Sequence, residues 1–332
     1  MHYKDTDYLH ASARAAYLEN KLITEDELLK AAGTDSAGEA YRLLAGEKLL
    51  KGHSLSEYEK TFEEDLTETW RLVEDMTGNT GLTYVFRYPV DGHNMKVMVK
   101  SRLASGDHSE LYKDGGTVGI DEMRKEFEKG RFDAVPEILG QAAVEAAAQL
   151  AKSGDPQAVD LLIDRAVIRL ISKKSEEIDC PVLTEYTMKR IDLINISSGL
   201  RLLRAGADPH VASGVFAEGG DFTVKELETS YIAGYEGMKS LVRKIPHSDG
   251  MEEAVDMVRQ GQCISAFEQQ EGRYFRKLFD RARTIPFGAE PVIAFLYLKE
   301  REIRAVRFVL TSKFFNMPEE EIAKGVRYLY AD

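Results

Sequence analysis

The stretch "EIRAVRFVLTSKFFN" at residues 302–316 decides the fold, because its pattern occurs twice more in the chain. "DGHNMKVMVKSRLASG" begins at Asp91 and "DLINISSGLRLLRAG" begins at Asp192, so the three starts are about 100 residues apart. Each stretch opens on an acidic residue and continues with apolar residues interspersed with basic ones. In the first two, an asparagine (Asn94 or Asn195) stands three residues after the acid. The chain therefore contains a repeat.

The flanks of the three stretches agree with this interpretation. An acid-rich amphipathic helix precedes each one, with the sequences "FEEDLTETWRLVEDM", "LLIDRAVIRLISKK" and "FEQQEGRYFRKLFDRA". A short acid-rich helix start follows each one, with the sequences "GIDEMRKEF", "TVKELETSY" and "MPEEEIAKGV". A period near 100 residues is a normal domain size and is too long for a short-period solenoid. We predict three related helical domains at 1–130, 131–235 and 236–332, arranged as a ring or funnel with approximate threefold pseudo-symmetry.

Helix signals dominate the rest of the chain. Capping-box patterns begin at Ser54 and Thr223, each with a glutamate three residues later. The stretch "LTYVFRY" at 82–88 alternates weakly and stops at Pro89, which predicts one short strand. We therefore predict an all-α fold, with this strand as the one exception.

Composition excludes several classes of protein. The chain of 332 residues has a formal net charge of −12, so sequence-independent binding to nucleic acid is disfavoured. No apolar run approaches the length that spans a bilayer, and the first residues lack the apolar core of a signal peptide. Cys180 and Cys263 have neither a metal-binding nor a redox spacing. We expect a cytoplasmic protein that does not insert into the membrane.

The sequence offers no catalytic, cofactor or metal site. The nearest match to a phosphate-binding loop is "GTDSAGEA" at 33–40, which has Glu39 where a lysine is required. No two histidines stand at the spacing that holds a metal on one helical face. We therefore predict no catalytic residue, no cofactor and no metal.

The recurring acids Asp91, Asp192 and Glu302 have two interpretations. They could cap or neutralise helix N-termini, or they could be polar positions that face a partner or a cavity.

The segment "KEREIRAVRFVL" at 299–310 also has two interpretations. It has an apolar stripe and a basic stripe, the latter formed by Arg301, Arg304 and Arg307. The basic stripe is either solvated or docks on an acidic surface.

The C-terminal stretch "EPVIAFLYLKEREIRAVRFVLTSKFFNMPEEEIAKGVRYLY" at 290–330 closely resembles the signature of the C subunit of V/A-type ATPases, the counterpart of the d subunit of the eukaryotic V-ATPase. "DGHNMKVMVKSRL" at 91–103 and "DLINISSGLRLL" at 192–203 resemble motifs of the first two domains of that family. "ASARAAYLENKLITEDELLKAA" at 11–32 resembles its N-terminal helix pair. The resemblance covers essentially the whole chain.

The resemblance implies three helical domains around a pseudo-threefold axis and a role without catalysis. By resemblance, the chain is a rotor adaptor between the D and F subunits of the central stalk and the membrane ring of proteolipid subunits. It would couple ATP-linked rotation to proton or sodium transport, and it would be a monomer when isolated. A free-standing helical scaffold and a metal-dependent hydrolase are the alternatives. We predict that the repeated polar positions meet the partners; these are Asp91, Asn94, Lys96, Asp192, Asn195, Glu302, Arg304 and Arg307.

Overall fold

The computed structural model describes residues 4–45, 54–102, 108–210 and 214–330. Within these residues every regular element is a helix, which confirms the all-α prediction. The α-helices in chain order are α1 (Leu9–Glu19), α2 (Glu25–Ala32), α3 (Ala37–Ala45), α4 (Tyr58–Met76), α5 (Tyr84–Lys100), α6 (Ile120–Lys129), α7 (Glu137–Ser153), α8 (Pro156–Ile178), α9 (Pro181–Ala205), α10 (Val224–Ile232), α11 (Gly234–Arg243), α12 (Met251–Arg259), α13 (Ser265–Arg283), α14 (Ala289–Phe314) and α15 (Glu319–Tyr330).

The strand predicted at 82–88 is wrong, because most of this stretch forms the first turns of α5. Val85, Phe86 and Tyr88 are all buried. Pro89 lies inside the helix and does not end it. Pro89 is the sixth residue of α5 and lacks the N–H that would donate to the carbonyl of Val85, a local cost that the burial of this segment outweighs. The weak alternation reflects burial on a helix and not pairing in a sheet.

The chain divides into two compact units, which we call the terminal unit (Met1–Thr83 with Arg276–Asp332) and the central unit (Tyr84–Phe275). In the terminal unit, α14 contacts α1, α2, α3, α4 and α15, so this long helix is the centre around which the others pack. Its burial on most sides follows from the apolar run before Lys299. Fully buried side chains of this core include Leu28, Phe62, Val306, Leu310 and Ile322.

In the central unit two long helices organise the packing. Helix α8 contacts α5, α7 and α9, and α9 in turn contacts α10, α11 and α12. The crossing of α5 and α8 is close at Gly92, where an added Cβ would lie 2.4 Å from Cγ2 of Val167. A glycine is therefore required at this position of the repeated stretch.

The domain boundaries predicted at 1–130, 131–235 and 236–332 stay predictions. Residues before Thr83 belong to one compact unit with the C-terminal residues. The division into three repeats and their threefold pseudo-symmetry stay predictions. Among the helices of the described residues, none combines the length and the apolar character needed to cross a membrane.

We expect Gly92→Ala to lower the free energy of unfolding by about 1–3 kcal/mol, because the new methyl group overlaps Val167 at the α5–α8 crossing. The matched control is Gly272→Ala in α13, where an added Cβ meets nothing within 4 Å. We expect this variant to be unchanged or more stable by about 0.5–1 kcal/mol, as alanine favours helix. Urea titration of both variants makes the comparison, and equal stabilities would contradict it.

Candidate functional site: three buried polar clusters and the Arg301–Arg307 face

The three repeated acids lie in the middle of long helices. Asp91 is on α5, Asp192 on α9 and Glu302 on α14, and their side chains are 0%, 0% and 1% exposed. None of them is a helix N-cap or a first-turn residue, so the capping interpretation is wrong for all three. A carboxyl group buried to this extent needs hydrogen-bond donors around it.

The donors of the first two clusters are backbone N–H groups just before a short helix. Asp91 accepts the N–H of Thr117 at 3.1 Å and of Val118 at 3.3 Å, immediately ahead of α6. Asp192 likewise accepts the N–H groups of Asp221 and Phe222, each at 3.2 Å, immediately ahead of α10. Each acid therefore fastens the start of a short helix to the middle of a long one.

A glycine allows the backbone to approach each acid. A Cβ added to Gly116 would lie 2.3 Å from Oδ1 of Asp91, and one added to Gly220 would lie 2.1 Å from Oδ1 of Asp192. Real Cβ atoms do not approach oxygen this closely, so both positions need glycine. The pairs "GG" at 115–116 and 219–220 are thus the sequence signal of these clusters. By their composition alone, both stretches predict only loops.

The two repeated asparagines fasten the same segments a few residues earlier. The side-chain amide of Asn94 donates to the carbonyl of Lys113 and accepts its N–H, both at 2.8 Å. Asn195 makes the same pair of bonds with Ala217, again both at 2.8 Å. An aspartate and an asparagine three residues apart on one helix face therefore hold one loop at two points.

The third cluster uses different donors for the same purpose. Glu302 accepts the N–H of Ile23 at 2.6 Å, immediately ahead of α2. Lys299 lies 2.7 Å from Glu302 and 2.6 Å from Asp65, so a buried lysine joins two acids. Ala305 occupies the asparagine position and is fully buried, so this cluster has no amide.

These contacts identify α2, α6 and α10 as equivalent helices. Ile23, Val118 and Phe222 are the apolar residues that donate to the three acids, and all are buried. Five residues further on stands a fully buried residue in each case, namely Leu28, Met123 and Leu227. The sequence pattern instead matches "MPEEEIAKGV" at 317–326 to the other two helix starts. The helix whose preceding segment donates to Glu302 is α2, near the start of the sequence.

Burial raises the pKa of all three acids from their ordinary values. For Asp192, burial raises the pKa to about 6, while the N–H bonds from Phe222 and Asp221 and the charge of Lys189 oppose the rise. For Asp91, burial is again the main cause of the raised pKa, and hydrogen bonds from Thr117 oppose it most. For Glu302, burial raises the pKa and Lys299 offsets the rise.

The three arginines of the 299–310 segment do not share one environment. Arg301 is half-buried with its guanidinium 4.5 Å from the ring centre of Tyr330, and burial lowers its pKa. Arg307 binds the carboxylate of Glu59 through Nε at 2.9 Å and Nη2 at 2.8 Å. Arg304 is exposed. The basic stripe is thus one packed arginine, one ion-paired arginine and one at the surface.

Comparison with known proteins matches almost the whole chain to one family. The family model described as "ATP synthase (C/AC39) subunit" matches residues 11–325. The chain belongs to this family. Its resemblance to the C subunit of V/A-type ATPases is therefore confirmed.

Two relatives illustrate the match to the ATP synthase (C/AC39) subunit family. The chain is 20% identical over 316 residues to the C subunit of the V-type sodium ATPase of Enterococcus hirae, covering 94% of this chain and 95% of that protein. It is 25% identical over 252 residues to the C subunit of the A-type ATP synthase of Halorubrum lacusprofundi, covering 73% of this chain and 72% of that protein. The similarity therefore extends over most of each chain and is not confined to one motif.

For this family member, the structure divides the eight predicted interface residues into two groups. Five are buried and bonded within the chain, so their side chains do not lie on a surface that a partner contacts; these are Asp91, Asn94, Asp192, Asn195 and Glu302. The other three lie wholly or partly at the surface, and their contact with a partner stays a prediction. Of these, Lys96 pairs with Asp164 at 2.5 Å. No group of potential metal ligands occurs among the residues that the structure describes.

We expect Asn195→Ala to lower the free energy of unfolding by about 2–4 kcal/mol, because it leaves the N–H and the carbonyl of Ala217 buried without partners. The amide of Ala217 should also exchange its hydrogen faster. The matched control is Asn20→Ala, which removes an exposed side chain and should change stability by less than about 0.5 kcal/mol. Similar losses in the two variants would contradict the fastening role.

We expect the stability difference between the wild type and Asp192→Asn to depend on pH. Because folding raises the pKa of Asp192 from 3.8 to about 6, the folded state binds this proton more tightly than the unfolded state. Acidification from pH 7 to pH 4 should therefore favour the folded wild type over the variant by about 2 kcal/mol. Denaturant titrations across this range measure the difference, with exposed Asp75→Asn as the control. A flat difference, or one of opposite sign, would contradict it.

Proposed function

We propose that the chain is a non-catalytic rotor component of a V/A-type ATPase. It acts as a socket that couples the rotating central shaft to the membrane ring, and so links ATP turnover to the transport of protons or sodium ions. The observation that carries this proposal is the family match over residues 11–325. The names of the relatives, the C subunits of a V-type sodium ATPase and of an A-type ATP synthase, support it.

The proposed partners are the D and F subunits of the stalk and the ring of proteolipid subunits, on the cytoplasmic face of the membrane. A socket needs about 800 Å² of buried surface against each partner, together with charge complementarity that sets the register. Lys96, Arg304 and Arg307 are the candidates for such contacts that remain at the surface. When isolated, the chain is proposed to be a monomer.

The polar clusters support a mechanical role in place of a chemical one. The acids Asp91, Asp192 and Glu302 each accept backbone N–H groups, and so their oxygens are engaged in holding the fold. A protein that transmits torque has to resist sliding of one helix along another. Directional hydrogen bonds from one long helix to the start of a short one supply that resistance, because they have a definite length and angle.

The proposed coupling predicts that removing this chain separates ATP hydrolysis from ion transport. Membranes with the assembled complex are stripped of this chain, and ATP hydrolysis and ATP-driven ion uptake are measured before and after adding it back. We expect hydrolysis to persist in the detached catalytic part and ion uptake to be lost. Ion uptake should return to the level of intact membranes when the purified chain is added, because shaft and ring are again connected.

Two results would contradict the proposal. Ion uptake that persists without the chain would favour a free-standing scaffold of the same fold. ATP hydrolysis by the purified chain alone would favour an enzyme. Heat-denatured chain serves as the control for the addition step.

A further inference from the structure

The turn between α14 and α15 exposes an unusual amount of apolar surface. We call residues 313–319, "KFFNMPE", the aromatic turn. The side chain of Phe315 is 79% exposed, that of Phe314 is 46% exposed and that of Met317 is 39% exposed. Single exposed apolar residues are common, but three on one turn form a patch of the kind that marks a contact surface.

The backbone of the aromatic turn is well defined by hydrogen bonds. At the end of α14, the N–H of Phe315 donates to Thr311 at 3.1 Å and the N–H of Met317 donates to Ser312 at 2.9 Å. Asn316 has a left-handed φ of 51°, as is usual for the residue that closes a helix with this bonding. The two phenylalanines are therefore presented on a rigid helix end, so little conformational entropy is lost when they bind.

Side chains also brace the aromatic turn at both ends. Lys313 donates from Nζ to the carbonyl of Thr34 at 2.5 Å. Glu319 packs over Gly33, where an added Cβ would lie 3.2 Å from Oε1. Between these points, the ring of Tyr58 stacks on Phe314 with centres 5.9 Å apart. The patch is thus held in place by its own unit of the chain.

The surroundings of the patch are negative. The first turn of α15 is formed by Glu319, Glu320 and Glu321, all exposed. Lys324 pairs with Glu321 at 2.7 Å, and Lys313 is engaged with Thr34. Within the described part of the chain, no cation forms an ion pair with Glu319 or Glu320. The aromatic turn therefore combines an apolar centre with a negative edge.

We propose that the aromatic turn docks a segment of another protein of the complex, one that presents an apolar side chain flanked by lysine or arginine. The exposed rings of Phe314 and Phe315 take the apolar side chain, and Glu319 and Glu320 take the cations. A second copy of this chain fits poorly, because its own turn carries the same negative charges. This docking proposal rests on the proposed function in one respect, namely that the partner belongs to the same ATPase complex.

The first experiment identifies what covers the turn. Photoreactive benzoylphenylalanine replaces Phe315 in the assembled complex, and the crosslinked peptides are identified by mass spectrometry. We expect one peptide from another protein of the complex, with an apolar residue next to lysine or arginine. Crosslinks to a second copy, to lipid or to an acidic segment would overturn the proposal.

The second experiment measures the strength of docking. Membranes stripped of this chain are titrated with purified wild type, with Phe315→Ser and with Glu320→Lys. We expect Phe315→Ser to weaken rebinding about 30-fold, as for a central aromatic anchor. We expect Glu320→Lys to weaken it about fivefold, with a larger effect at low salt. Thermal unfolding of each variant shows whether the fold is retained.

Matched control variants distinguish a failure of the docking proposal from a failure of the proposed function. Ile232→Ser removes a 71% exposed apolar residue, and Glu253→Lys reverses a first-turn acid of α12. If wild type rebinds and both turn variants rebind as tightly as these controls, the docking proposal is overturned while the rotor role stands. If wild type itself fails to rebind and to restore ion uptake, the proposed function fails.

Discussion

The structure depends on a buried carboxylate in the middle of a long helix that accepts backbone N–H groups from the segment leading into a short one. These donors belong to the residues just before the N-caps Gly119 and Thr223, so they have no partner within the helix that follows. Asp91 accepts two backbone N–H groups and the hydroxyl of Thr117, and Asp192 accepts two backbone N–H groups. Each acid in turn holds the segment that leads into α6 or α10. Each hydrogen bond satisfies both the carboxylate and the backbone N–H group, and either would be costly to bury without a partner.

The third cluster explains why the first and last helices form one compact unit. Glu302 on α14 bonds to the N–H of Ile23, which is 279 residues away in the sequence. In the first two repeats the bonded segment follows its acid along the chain, whereas in the third it comes long before it. The segment ahead of α2 takes that place, and Lys299 joins Glu302 to Asp65 of α4. The third cluster is thus assembled from distant parts of the chain.

The sequence predicts the helices well and the role of their polar residues poorly. Apolar periodicity predicts a helix because it reports directly which side is buried, and the cap at Thr223 is predicted correctly from its glutamate partner. A buried aspartate has no such signature, since its partners are backbone groups that any residue supplies. The signal that does exist is the paired glycines at 115–116 and 219–220, which leave room for the carboxylate. These glycines indicate a contact only when each pair is considered together with the aspartate that its backbone approaches.

Burial of charge in these clusters costs stability, because each carboxylate loses its hydration, and the same burial raises the pKa of Asp192. An apolar core would hold the same helices together at lower cost, because it has no desolvation penalty. What apolar contacts lack is direction, and a helix packed only by them can slide by a fraction of a turn. The paired bonds of Asn94 to Lys113 and of Asn195 to Ala217 prevent that, because both fail if either segment shifts. The clusters therefore exchange some stability for a fixed register between each long helix and the segment bonded to it.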